Sequence, residues 1–228
     1  MFKSLLKSIR TASLTITILA IAFMTIEPAI TLGATTSSQF TISQTVTSEI
    51  SFATPPSNVI MSPTLGGITG GTANGLTSFA VETNNMTGYN MTIQASSSVG
   101  MIGNASSSNN IPVDVSVTPG IPDYTMTAPL HGAAFAYTVN ATTSSDVAQM
   151  FRNNGSICNQ STGTANGVDC WLPATTTAVQ IINRALPTPT TGATSTLSFR
   201  VIINSNPSPP IPNDTYVATT TLTVATNP

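Results

Sequence analysis

The chain of 228 residues carries 6 basic and 8 acidic side chains, a formal net charge of −2. So sparse a positive charge excludes nucleic-acid binding, because each neutralised phosphate needs a Lys or Arg. An apolar share of 40% is enough for a core, while 66 Ser and Thr and 18 Asn leave solubility to hydroxyls and amides rather than to charge. Disordered chains are rich in charge and poor in β-branched residues; here Val, Ile and Thr recur throughout and favour strands.

The N-terminus reads MFKSLLKSIRTASLTITILAIAFMTIEPAITLGATT. Lys3, Lys7 and Arg10 precede an uncharged apolar run over residues 11–26, and Leu32, Gly33 and Ala34 offer a small-residue cleavage point. That order predicts a secretory signal peptide over residues 1–34. The run is shorter than the roughly 20 residues that a spanning helix needs, so membrane association is expected only if the leader is retained as an anchor. Without the leader no lysine remains, and Arg152, Arg184 and Arg200 face seven carboxylates. Residues 35–228 are expected to form a single elaborated domain, with two small domains as the alternative.

After a loose stretch at 35–38, FTISQTVTSEISF alternates through Phe40, Ile42, Val46, Ile50 and Phe52, which predicts one long strand or two short ones over 40–52. Residues 35–50 are an exchangeable N-terminal strand on this reading. A turn at 53–58, a short strand at 59–62 and Gly-rich punctuation at 65–75 follow. Residues 76–83 and 88–95 then read as a hairpin around TNNMTG, with Phe79 and Val81 set opposite Tyr89, Met91 and Ile93 on a core-facing surface. Past a polar low-complexity stretch, strands are expected at 113–117, 124–126 and 133–139, the last with Phe135 and Tyr137 in alternation. Residues 144–155 are the one helix candidate, capped by Ser145 with Asp146 in the first turn. Residues 177–186 read as a strand, with a short helix as the alternative. Leu197, Phe199, Val201 and Ile203 share one face of a half-buried strand, the proline-rich 205–214 is a connection, and Tyr216 to Val224 alternates in a final strand.

Cys158 and Cys170 stand too far apart for a two-residue redox spacing, and with His131 alone they fall short of four zinc ligands. In an exported chain they are expected to form a disulfide. Closing a loop of about 13 residues is worth roughly 3 kcal/mol. Trp171, next in the chain, either packs against that disulfide at the end of a core or stands exposed as a contact residue. Tyr124 and Tyr137 are the other candidate contact residues, since aromatics anchor interfaces.

The remaining motifs carry little chemistry. GTANG occurs at 71–75 and 163–167, but the flanks differ, and shared turn chemistry accounts for it better than duplication. Seven N-x-S/T sequons begin at Asn85, Asn90, Asn104, Asn140, Asn154, Asn159 and Asn213, close to the number such a composition produces by chance. His131, in APLHGAA, reads as a turn residue rather than a general base. No two carboxylates stand out as a glycosidase pair. Asp123, Asp146 and Asp169 lack the spacing of a calcium loop. The expectation is a non-enzyme with no metal and no cofactor.

Nine to eleven strands, many Gly and Pro turns and almost no helix predict an all-β, immunoglobulin-like antiparallel β-sandwich with a disulfide-stapled loop. The stretches NVIMSPTLGGITGG (58–71) and LTSFAVETNNMTGYNMTIQASS (76–97) resemble exported immunoglobulin-like surface modules of bacteria. The closing NDTYVATTTLTVAT (213–226) is similar to the last hairpin of pilus-type and spore-coat-type sandwiches, with Asp214 where glycine is frequent. The resemblance implies a cell-surface or fibre subunit and brings no binding residues with it. The function expected is therefore a secreted structural or interaction protein of the cell surface, a filament subunit assembling by strand addition, with a homo-oligomer or other surface proteins as partners. The alternative is a carbohydrate- or surface-binding module.

Overall fold

A computed structural model describes residues 35–115 and 120–228. The expected signal peptide, 1–34, and part of the expected strand at 113–117 lie outside the described residues. The chain divides into two units, Met1–Thr45 and Val46–Pro228. In the first, residues 35–45 have no regular secondary structure, and Phe40 and Ile42 are 83% and 84% exposed. The strand expected over 40–52 is therefore present only as its end, β1 (Ile50–Thr54).

The second unit is all-β. After β1 come β2 (Gly71–Thr83), β3 (Tyr89–Ala95), β4 (Gly100–Gly103), β5 (Asn110–Pro112) and β6 (Ala133–Ala141). The sequence closes with β7 (Val179–Arg184), β8 (Ala193–Ile203), β9 (Tyr216–Val217) and β10 (Thr220–Thr226). All pairings between these strands are antiparallel. They form three sheets, in the orders β1-β2-β8-β6, β10-β3-β7 and β5-β4-β9, where the expected sandwich has two.

The expected hairpin does not form. β2 pairs with β8 from Gly71↔Ile203 to Val81↔Ala193 and with β1 on its other edge, so no edge remains for β3. The chain instead crosses between sheets at 84–88. There the Asn85 side-chain amide donates to Thr87 Oγ1 and to the Gly88 carbonyl, at 2.9 and 2.8 Å. Gly88 holds φ +75°, and a Cβ on it would lie 2.1 Å from the Arg184 carbonyl oxygen, so the crossing requires glycine. Phe79, Val81, Tyr89, Met91 and Ile93 still meet in one buried core, but across layers rather than along a hairpin.

That core joins the inner faces of β2, β6 and β8 to those of β3 and β7, and Met101 and Ile111 extend it into the third sheet. The ladder overrides composition at residues 71–75, expected as punctuation, which are strand. Gly75 is needed in it because a Cβ there would meet Val59 Cγ1 at 2.4 Å, where the 57–62 segment runs antiparallel beside β2. The helix candidate is two single 3-10 turns, Ser144–Asp146 and Gln149–Phe151. The first has Thr143, not Ser145, at its N-cap position, with no side-chain cap. β7 and β8 match their expected strands, whereas the final strand breaks at Ala218 and Thr219 into β9 and β10, which lie in different sheets.

Candidate functional site

Cys158 and Cys170 form a disulfide with their Cα atoms 5.7 Å apart. Cys170 is fully buried and adopts φ 61°, so the loop closes against the body of the fold and aims the next residue inward. That residue, Trp171, is 1% exposed. Its ring packs with Met126, Ala134 and Ala136 in a second apolar cluster, on the outer side of β6. Phe135 and Tyr137 alternate with those alanines and face the main core, so β6 is buried on both faces. Small residues at 134 and 136 leave room for an indole that a bulkier strand would push away.

The polar groups around the ring satisfy one another. The indole N–H donates to the Val168 carbonyl at 2.9 Å, and the Trp171 backbone exchanges hydrogen bonds with Asp123. The Arg200 guanidinium lies 4.1 Å from the ring centroid, a cation–π contact, while its Nε donates to Asn74 Oδ1 at 2.9 Å. Burial lowers the Arg200 pKa, and the Asp169 charge opposes that shift. Tyr124 is half-buried, and its hydroxyl pKa is raised by desolvation first and then by the nearby Asp169 carboxylate. Tyr137 is 1% exposed, its ring 5.8 Å from that of Phe151, and burial pushes its hydroxyl pKa far up. Of the three candidate contact aromatics, two hold their rings inside the fold, and only Tyr124 reaches the surface.

The other singled-out residues are dispersed. His131 sits in a turn with φ 57°, its Nδ1 2.9 Å from the Asn206 carbonyl oxygen. Asp146 is paired with Arg184 at 2.6 Å, and the Asp114 N–H donates to the Phe135 carbonyl at 3.0 Å. Among the described residues no three His, Cys, Asp or Glu side chains group closely enough to hold a metal ion. A hollow of about 710 Å³ lies between residues 113–115 and 172–180, walled chiefly by apolar side chains such as Val113, Met150, Leu172 and Val179.

The sheet edges form the second candidate, and they are not equivalent. Main-chain bridges at Val113↔Phe135 and Tyr137↔Leu172 cap β6, and Val147↔Ile182 caps β7. β1 has five residues, an irregularity after Phe52 and two prolines behind it. β5 ends in Pro112 and β9 has two residues. β10 differs: seven residues, TTLTVAT, without charge or proline. Among the described residues of its unit, β3 is its one backbone partner. β1 approaches it from the other sheet without a backbone hydrogen bond. Leu222 and Val224 are only half-buried against the core, so the apolar layer is incompletely covered there. Sequence alternation marked this strand, but pairing alone reveals which of its edges is open. No protein-family model and no curated protein matches the chain.

Proposed function

We propose that the protein is a secreted structural subunit of the cell surface, immunoglobulin-like in architecture, whose copies assemble into an extracellular filament by strand addition. The observation that carries this reading is the exposed alternation ahead of β1. Phe40, Ile42 and Val46 have the same parity as Ile50 and Phe52 of β1, yet all three are at least 80% exposed. Alternating apolar side chains held in water gain by pairing as a strand with another sheet edge, the general basis of recognition by β-augmentation. Export is supported by the disulfide, which persists in oxidising compartments, and by the leader-like composition of residues 1–34.

The carbohydrate-binding alternative calls for exposed aromatic faces; Trp171 and Tyr137 are buried, and Tyr124 is half-buried. The test of the proposal is immunogold electron microscopy of the native cell envelope, with mass spectrometry of the mature N-terminus. Labelled fibres or surface arrays whose subunits begin near Thr35 are expected. Label confined to the cytoplasm, on a chain that retains Met1, would end the proposal.

A further inference from the structure

We infer that residues 40–46 of one copy add as an extra strand to the outer edge of β10 in a neighbouring copy. This rests on the reading of the protein as a self-associating subunit and names the two elements that meet. The argument starts from the hydrogen-bond register of β10. Asn227 N–H donates to the Gly88 carbonyl and Ser96 N–H to the Thr219 carbonyl, so odd-numbered residues from 219 to 227 turn their backbone groups toward β3. The backbone N–H and C=O groups of Thr220, Leu222, Val224 and Thr226 therefore point away from β3, toward the open edge. Those same residues carry the half-buried side chains, while Thr221, Thr223 and Ala225 are exposed.

The donor has matching chemistry. Residues 40–46 equal β10 in length, contain no charge and no proline, and place Phe40, Ile42, Gln44 and Val46 on one face, three of the four apolar, with Thr41, Ser43 and Thr45 on the other. Laid along β10 with the apolar face inward, the segment extends the layer of Leu222 and Val224 and leaves hydroxyls outside, as β10 itself does. Native edges are normally guarded by lysine, proline, bulges or covering loops. Each other edge shows one of these features or is very short; among the described residues β10 shows none, and β1, which approaches it, makes no backbone hydrogen bond to it.

The test is pairwise disulfide trapping between differently tagged copies of the full chain. Ser43→Cys in one copy is mixed with Thr223→Cys in the other under oxidised glutathione, and Thr41→Cys, Thr45→Cys and Thr221→Cys scan the register. All five positions lie on exposed, outward-facing sites, so folding is retained. Controls place the acceptor cysteine at Ser51 on β1 or Asn183 on β7, both exposed. Cross-linked heterodimers with β10 positions should exceed those with the controls by about tenfold, because pairing raises the effective thiol concentration. Preferential capture by Ser51→Cys or Asn183→Cys would overturn the β10 assignment and leave self-association standing. A Ser43→Cys/Thr223→Cys double variant that closes only within one copy would overturn it too. Capture at no position, from a protein that sediments as a monomer, would remove both.

Discussion

Replacing Trp171 separates a packing residue from a contact residue. The indole is 1% exposed, fills the space above Ala134 and Ala136, donates to the Val168 carbonyl and lies beneath the Arg200 guanidinium. Truncating a fully buried aromatic to alanine costs about 3–5 kcal/mol, the larger part from lost transfer energy and the cavity left behind. Trp171→Phe keeps most of the ring and loses the N–H donor, leaving a carbonyl without its partner, for about 1–2 kcal/mol. Urea unfolding followed by circular dichroism, with unchanged slopes, reads both differences. Trp171 is the single tryptophan, so acrylamide quenching of the native protein reports on this ring alone, and weak quenching is expected. An alanine variant within about 1 kcal/mol of the parent, or free quenching in the native state, would refute the packing argument. A glycan-contact role makes the opposite prediction, with stability kept and binding lost.

Other consequences follow from the same geometry. Changing Cys158 and Cys170 to alanine should lower stability by about 3 kcal/mol for a loop of this length, measured by denaturant unfolding against the oxidised parent. Asn227 ties the chain end to the 84–88 crossing and to β7, its Nδ2 donating to the Thr87 and Arg184 carbonyls at 2.9 Å each. Asn227→Ala should cost about 1–2 kcal/mol in the same assay. The Asp214 carboxylate accepts hydrogen bonds from Ala105 N–H, the Asn109 side chain and Thr215 N–H, which hold its pKa below the ordinary value. A depressed folded pKa gives stability that is present above the ordinary carboxylate range and lost as pH falls through the lowered value. Thermal unfolding of the parent should therefore weaken more steeply on acidification than that of Asp214→Asn; parallel pH profiles would contradict the assignment.

How much was legible in the sequence depended on whether local pattern and tertiary pairing agreed. In β8, Leu197, Phe199, Val201 and Ile203 alternate against a polar face, and the strand matches its reading because one side is buried. β6 defeats that logic, since Trp171 covers the face that alternation assigns to solvent, and the signal was only the small size of Ala134 and Ala136. The two GTANG copies show the limit most plainly. Residues 71–75 are strand because β8 pairs with them along a ladder, and residues 163–167, joined by the single bridge Asn153↔Thr164, form part of the disulfide loop. The turn at 84–88 was visible in its Asn and Gly residues, but turn chemistry does not say whether the chain returns to the same sheet. β4 and β5 were hidden in the low-complexity stretch, where three or four residues carry too little periodicity to read. The disulfide followed from cysteine count, whereas the open edge of β10 had no sequence signal apart from its lack of charge.

Sedimentation velocity of the purified protein over a wide concentration range, beside a variant lacking residues 35–46, tests self-assembly most directly. The intact chain is expected to shift progressively to larger species, and the shortened chain to remain a folded monomer with an unchanged circular-dichroism spectrum. An intact chain that stays monomeric at every concentration, or a shortened chain that assembles equally well, would contradict the account.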